Sequence, residues 1–242
     1  MVMKLRRGMV KSTFIVALAA TGGCANLGQV ADSGAQLSQA LGYNPAQLSS
    51  AVKEALELSA VRATDALSES GGYANNTQFK IVMPEDIQNI ANTLRSFGLG
   101  GYIDNVEALM NRGAEKAAAQ AKPFLIDAIK SMDVTDAIGI VRGGDSAATQ
   151  FFRSQTEDGI RKRYQEIAKE QLAQLGFYGD YKQLLNAYKL APIPNKPDLD
   201  LESRVINLGL DALFTQIAEE EKKIRENPVE QGSVLLGSVF GR

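Results

Sequence analysis

The sequence predicts an all-α fold, in one helical-bundle domain of about eight to nine helices spanning residues 44–242. Apolar residues recur every three or four positions through most of this range, which is the period of an amphipathic helix. Capping residues, glycines and prolines separate the periodic stretches, as they do at helix ends. A single stretch alternates like a strand, and one strand cannot form a sheet.

The first helix is predicted to begin at Asn44-Pro45, a capping side chain followed by proline at the first helical position. Gly71-Gly72 should end it. The alternating stretch "FKIVMP" (79–84) should form a short extended segment, and Pro84 should start a second helix that reaches Gly98. The buried stripe of the first helix consists of Leu48, Val52, Leu56 and Ala60.

The longest periodic stretch runs from about residue 103 to 132, and its apolar stripe is mostly alanine, which suits close helix packing. Pro123 should kink this helix or begin another one, because proline lacks a backbone donor. Asp133 is predicted to cap a helix over 134–142. Asp145, after two glycines, is predicted to cap the helix that begins in "SAATQFFRSQ" (146–155).

The C-terminal third contains four further periodic stretches and one proline-rich connector, "APIPNKPD" (191–198), which should be extended. Helices are predicted over about 156–175, 180–190, 200–226 and 230–240.

The first 23 residues have the composition of an export signal. Four basic residues and no acidic one precede an apolar run at 13–20, which is too short to span a bilayer. The run ends in Thr21-Gly22-Gly23 before Cys24, the only cysteine, and this order resembles the lipobox of bacterial lipoproteins. The resemblance implies that residues 1–23 are removed, that Cys24 carries the lipid (palmitate-type acyl chains), and that residues 24–43 form a tether.

An ordinary cleavage after Ala17-Leu18-Ala19 is the alternative, and it would leave Cys24 as a free thiol. Ala25 follows the cysteine where an aspartate would favour retention in the inner membrane. We therefore expect a lipoprotein of the outer membrane that faces the periplasm.

Composition excludes several functions. Without residues 1–23 the chain would carry 22 basic and 28 acidic residues, a net charge of −6, which argues against nucleic acid as a partner. Histidine is absent, so histidine-based catalysis and histidine-ligated metals are excluded. No cofactor or metal site is predicted. The partners expected are the membrane, through the lipid, and an unidentified periplasmic protein.

Two motifs resemble functional sites only superficially. "ESGGY" (69–73) contains a Glu-Ser pair like that of lytic transglycosylases, but the glycan-binding segment of those enzymes does not follow it. "RGGDSAATQ" (142–150) places glycines before a helix N-terminus, but it lacks the Gly-Lys-Ser/Thr of a phosphate loop. Both are better explained as turns and caps.

Several polar residues lie on or beside apolar stripes, where they predict a buried polar network or contacts with a ligand. Glu221 continues the stripe of the last long helix, and Arg225 follows at the spacing of an ion pair. Asn111 or Arg112 is a possible partner for Glu221 across the bundle. The complete set of candidates is Asn111, Arg112, Glu115, Asp127, Thr149, Arg153, Glu221 and Arg225.

Four segments together resemble the bacterial family catalogued as domain of unknown function 4197, over roughly residues 50–241. They are "LMNRGAEKAAAQAKPFLIDAIKSM", "GGDSAATQFFR", "LDALFTQIAEEEKKIRENP" and "LLGSVFG". Gly113 stands where the family usually has alanine. The resemblance implies a helical, exported protein and no established activity.

Three functions are compatible with the sequence. The first is a non-enzymatic lipoprotein that acts through protein contacts, and no catalytic residue is assigned in it. The second is a carrier or sensor of an apolar ligand held in a cavity between helices. The third is a carboxylate-based cell-wall hydrolase that uses Glu115 with Asp127 or Glu221.

Overall fold

The computed structural model describes residues 44–85, 88, 95–96, 98, 100–190, 196 and 198–241. Within them the protein is all-α, with eight helices and no strand, which confirms the predicted fold class. The predicted signal, Cys24 and the tether lie outside the described residues. So do most of the helix predicted from Pro84 to Gly98 and most of the connector at 191–198.

The helices are named in chain order. They are α1 (Pro45–Ser68), α2 (Gly100–Ser131), α3 (Ala137–Val141), α4 (Ala147–Gln174), α5 (Phe177–Leu190), α6 (Leu201–Glu226), α7 (Pro228–Gln231) and α8 (Val234–Phe240).

Local capping explains where α1 and α6 begin. The Asn44 side chain accepts a hydrogen bond from the Ala46 N–H at 2.9 Å. The Asp200 side chain accepts one from the Ser203 N–H at 3.0 Å. Each satisfies a backbone donor that has no partner inside its helix. Both starts agree with the sequence prediction within one residue.

Two long helices are continuous where the sequence suggested breaks. Pro123 lies inside α2, so no second helix begins there. The residues around it, Ala121 and Leu125, are both buried in the core, and their packing holds the helix on both sides of the proline. The segments predicted separately as "SAATQFFRSQ" and 156–175 form one helix, α4. Conversely, the helix predicted at 230–240 is divided into α7 and α8.

Two predicted caps are wrong. The cap of α3 is Asp136, whose carboxylate accepts from the Gly139 N–H at 2.9 Å, and not Asp133. Asp145 does not cap α4, since Ser146 occupies the N-cap position, and the Ser146 side chain accepts no hydrogen bond from a backbone N–H of that helix. The carboxylate of Asp145 instead lies 3.3 Å from the ammonium group of Lys222 on α6.

Four helices form the body of the bundle. Contacts join α1 to α2, α2 to α4, α4 to α6 and α6 back to α1, so the four enclose one hydrophobic core. Helix α5 packs on α2 and α4, and α8 packs on α1. A second apolar cluster, at the N-terminal end of α1, consists of Leu48, Ala51, Ala55, Ile138, Ile224, Leu236 and Val239.

Small residues bring the helices close together. The alanines of α1 and α2 that face the core are at most 1% exposed. Short side chains let helix backbones approach closely, because little volume separates them. The alanine stripe is therefore used for packing. The buried alanines of these faces are Ala51, Ala55, Ala60, Ala63, Ala114, Ala117, Ala118 and Ala121.

None of the helices in the described ranges is both long and apolar enough to span a bilayer.

Gly209 of α6 lies close against Tyr164 of α4 in the core. A Cβ atom added at Gly209 would lie 2.4 Å from the hydroxyl oxygen of Tyr164, whose ring is fully buried. We expect Gly209→Ala to lower the free energy of unfolding by about 1–3 kcal/mol, as overpacking does. Urea denaturation measures the effect.

Gly159→Ala is the matched control, because this glycine lies within α4 and nothing stands within 4 Å of its added Cβ. Helix propensity should then raise stability by about 0.5–1 kcal/mol. Equal effects of the two substitutions would contradict the packing described here.

Candidate functional site

The most deeply buried charge is the Glu221 carboxylate on α6, whose side chain is 0% exposed. One oxygen accepts from the Ala148 N–H at 2.9 Å. The other accepts from the Thr149 N–H at 2.7 Å and from the Thr149 hydroxyl at 2.6 Å. These donors lie in the first turn of α4, where backbone N–H groups lack partners inside the helix. Glu221 therefore caps α4 from another helix.

Arg225 balances this charge from the next turn of α6, at the four-residue spacing that the sequence indicates. Its Nε donates to Glu221 at 2.8 Å. Its two terminal nitrogens donate to the carbonyls of Ile140 and Val141 at 3.0 Å each, at the end of α3. Its guanidinium carbon lies 4.7 Å from the centre of the Phe240 ring in α8.

The hydrogen bonds of Glu221 and Arg225 are made to other groups of the protein. Glu221 accepts four hydrogen bonds, and each of the three guanidinium nitrogens of Arg225 donates to a carboxylate or carbonyl oxygen. The positive end of the α4 dipole, which in other proteins attracts phosphate, holds the protein's own carboxylate. The anion-binding position in the "RGGDSAATQ" segment is thus occupied by the Glu221 carboxylate of the same chain.

Glu115 plays a similar part at the turn after α1. Its Oε1 accepts from the Gly71 N–H at 3.0 Å, and from the N–H groups of Tyr73 and Ala74 at 3.4 Å each. Gly71 has φ +90°, a conformation that glycine adopts without strain. Three N–H groups of this turn converge on the one oxygen, as in an anion-binding nest. The "ESGGY" motif is therefore a turn around a buried carboxylate.

Asn111 fixes the segment at 80–84, which belongs to neither a helix nor a strand. Its amide oxygen accepts from the Ile81 N–H at 2.9 Å, and its amide nitrogen donates to the Ile81 carbonyl at 2.8 Å. The Asn111 side chain thereby makes the two hydrogen bonds with Ile81 that a neighbouring strand would make. Glu107, one turn earlier on α2, accepts from the Met83 N–H at 3.1 Å, and Arg204 of α6 donates to the Val82 carbonyl at 2.7 Å.

The predicted partners of Glu221 across the bundle are therefore wrong. Asn111 is bonded to Ile81, and Arg112 is exposed on α2 without a hydrogen bond or ion pair to another described residue. The actual partners come from the start of α4. Thr149, a member of the candidate set, is one of them.

Arg153 belongs to a half-buried ion-pair network between α4 and α6. It donates to Glu157 at 3.0 Å through two nitrogens and to Asp211 at 2.6 Å. Arg161 also donates to Glu157, at 3.0 Å. These hydrogen bonds, first from Arg153 and then from Arg161, lower the pKa of Glu157 to about 2. Carboxylate and guanidinium groups hold each other here in their charged forms.

Two buried tyrosines lie in the core, and sequence reasoning did not single them out. The Tyr73 hydroxyl donates to the Gly209 carbonyl at 2.9 Å. The Tyr164 hydroxyl is the one fully buried side-chain oxygen among the described residues without an aligned hydrogen bond. Burial raises the pKa of both phenols, so both stay neutral. Tyr164 belongs to the apolar face of α4 and Tyr73 to the turn after α1, and in both places a tyrosine is typical of an ordinary core residue.

The carboxylates proposed for a hydrolase do not share a cleft. Asp127 is exposed on α2, twelve residues after Glu115, which corresponds to about 18 Å along the helix. Two-carboxylate glycosidases need a separation of about 5–9.5 Å. Glu221 is enclosed by the first turn of α4 and by Arg225. The structure therefore offers neither of the two predicted pairs to a substrate.

Metal ligands do not cluster in the described ranges, where no three cysteine or acidic side chains converge.

Asp127 lies in an open groove of about 660 Å³ between α2 and α4. Charged and amide side chains line most of this groove. Three other openings on the surface of the described residues have volumes of about 450, 310 and 190 Å³.

The family of proteins of unknown function named DUF4197 matches residues 42–241, which is the whole helical domain. The chain belongs to this family. The match confirms the resemblance carried by the four sequence segments. No curated protein and no solved structure shows significant similarity to the chain.

Gly113 of α2 faces Leu172 of α4. An added Cβ would lie 2.5 Å from a terminal methyl of that leucine, so alanine here requires Leu172 to turn.

Glu221→Gln tests the buried pair. The amide supplies one acceptor where the carboxylate supplies two, and Arg225, whose side chain is 11% exposed, loses its counter-charge. We expect the free energy of unfolding to fall by about 3–5 kcal/mol, as when one partner of a buried pair is removed. Chemical denaturation measures it. Glu226→Gln is the control, because Glu226 is exposed on the same helix and lies 4.0 Å from Lys222. Its effect should stay below about 1 kcal/mol.

The Glu157 network predicts a pH dependence. A folded pKa of about 2, against 4.5 for the free side chain, stabilises the protein above pH 4.5. This contribution is lost as the pH falls from 4.5 to about 2. Glu157→Gln should therefore lower the melting temperature at pH 7 and change it little near pH 2. A difference that is constant over this range would refute the assignment. Glu166→Gln, which removes a more exposed pair with Arg163, should have a smaller effect at pH 7.

Proposed function

We propose that this protein is a lipid-anchored, non-enzymatic interaction protein of the bacterial cell envelope, attached to the outer membrane and facing the periplasm. The observation that carries the non-enzymatic part is the use of the buried polar groups. Glu115, Asn111, Glu221 and Arg225 each hold backbone groups of a neighbouring segment. The hydrogen bonds of these groups hold neighbouring segments in place, and Glu221, which is fully buried with both carboxylate oxygens bonded, is closed to a substrate.

The position of the anchor is supported by the sequence. Cys24 follows an export-type segment, and twenty residues separate it from Pro45, the first residue of α1. A flexible linker of this length has a root-mean-square reach of about 25 Å. The helical domain would thus stay close to the membrane surface while its sides remain open to other proteins.

A carrier of apolar ligands is less well supported. The core-facing alanines lie in packed helix contacts, and the openings of about 660 and 450 Å³ are open surface grooves, of which the larger is lined mostly by charged and amide side chains. Carriers of apolar ligands enclose most of the ligand surface in an apolar cavity. The polar rim favours contacts with a partner that is itself partly polar.

Intact mass of the membrane-extracted protein tests the anchor. We expect a chain that begins at Cys24 and carries two or three acyl chains, because a single chain binds membranes only marginally. Cys24→Ser should leave the protein unlipidated and in the soluble fraction. A mature chain that begins at Ala20 with an unmodified thiol would refute the proposal.

In-cell cross-linking of the lipidated protein tests the interaction. The expected result is a discrete adduct with another envelope protein, formed by the wild type and reduced in Cys24→Ser. An intact protein that is purely monomeric in the membrane, with no adduct from cross-linkers placed on any side of the bundle, would contradict an interaction role.

A further inference from the structure

The outer seam between α2 and α4 forms a long groove. Two adjoining openings, of about 660 and 450 Å³, share Phe124 and Arg163 in their walls. The first extends along α2 to Lys116, and the second extends to Ala128. Twelve helical residues correspond to about 18 Å, so the groove is long enough for a linear ligand.

The cross-section of this groove is amphipathic. Phe124 from α2 and Ile167 from α4 are half-buried and supply an apolar floor. Gln120 and Gln171 stand on the opposite rims. No side chain or backbone group in the described part of the protein makes a hydrogen bond to either amide. The rims therefore present free donors and acceptors above an apolar strip.

The two ends of the groove carry opposite, unpaired charges. Lys116 and Asp127 are both exposed, and neither forms an ion pair with another described residue. On the α4 side of the groove, Arg163 lies 3.0 Å from Glu166, and Glu170 accepts a hydrogen bond from the neutral amide of Gln174 at 3.0 Å. Lys116 and Asp127 are eleven residues apart, or about 16 Å along α2.

This charge separation matches an extended peptide. A chain in the β conformation advances about 3.3 Å per residue, so 16 Å corresponds to about five residues. Free amides satisfy the backbone of an extended segment, and an apolar strip accepts its alternate side chains. A neutral sugar chain would also use the amides, but it would leave both terminal charges without partners.

We propose that the groove between α2 and α4 binds an extended segment of a partner protein, about five residues long. Its acidic group lies against Lys116, its basic group lies against Asp127, and apolar side chains between them contact Phe124 and Ile167. Complementary charges at the two ends fix the direction of the segment. This inference rests on the proposed interaction function and names the surface and the chemistry of the partner.

A library of random nine-residue peptides, displayed on phage and selected on the intact protein in mild detergent, tests the inference. The expected peptides carry an acidic and a basic residue about four or five positions apart, with apolar residues between them. Lys116→Glu and Asp127→Lys should each weaken binding of a selected peptide at least tenfold. The double variant, in which the two charges are exchanged, should prefer peptides with the charges in the reverse order.

Lys182→Glu and Asp158→Lys are the matched controls, because both residues are exposed and neither lines the groove. They should leave the affinity unchanged. Selected peptides without the charge pattern, or full affinity in both groove variants, would overturn the inference. So would binding of an N-acetylglucosamine oligomer that the groove variants abolish, if no peptide is enriched. In-cell adducts that persist in both groove variants would overturn this inference alone and leave the proposed function standing.

Discussion

The buried carboxylate of Glu221 is the constraint on which the bundle depends. A charge removed from water must be matched by donors and by an opposite charge, or its burial costs several kcal/mol. The first turn of α4 supplies the donors, and Arg225 supplies the charge. Arg225 then reaches the end of α3 and the ring of Phe240 in α8. One ion pair thereby fixes the relative positions of α3, α4, α6 and α8.

Buried polar groups are also matched at the opposite end of α1. There, side chains of α2 form hydrogen bonds with backbone groups of a segment that belongs to neither a helix nor a strand. Glu115 collects the N–H groups of the glycine turn, and Asn111 occupies the place of a missing strand beside Ile81. Buried polar atoms in native proteins are nearly always bonded in this way. Glu115, Asn111 and Glu221 thus each hold the backbone of a neighbouring segment.

Tight packing inside and an open seam outside are consistent with a protein that acts through contacts. Alanine and glycine bring α1, α2, α4 and α6 close together, as at Gly209 beside Tyr164. A core packed in this way leaves little space for a ligand, whereas the grooves between helices at the surface leave more. The groove between α2 and α4 combines apolar floor residues with amides and charges that the described part of the fold leaves unpaired.

The sequence by itself determined the all-α class, the starts of α1 and α6, and the Glu221–Arg225 pair. Each depends on residues within about four positions of one another, where helix geometry fixes the distance. Tertiary structure decided which acid caps which helix: Glu221 reaches Thr149 across 72 residues, while Asp145 turns to Lys222. It also decided that Asn111 binds Ile81 and that Lys116 and Asp127 stand at the ends of one groove. Those outcomes depend on which helix faces pack together, and a local pattern specifies the face of a helix without specifying its neighbour.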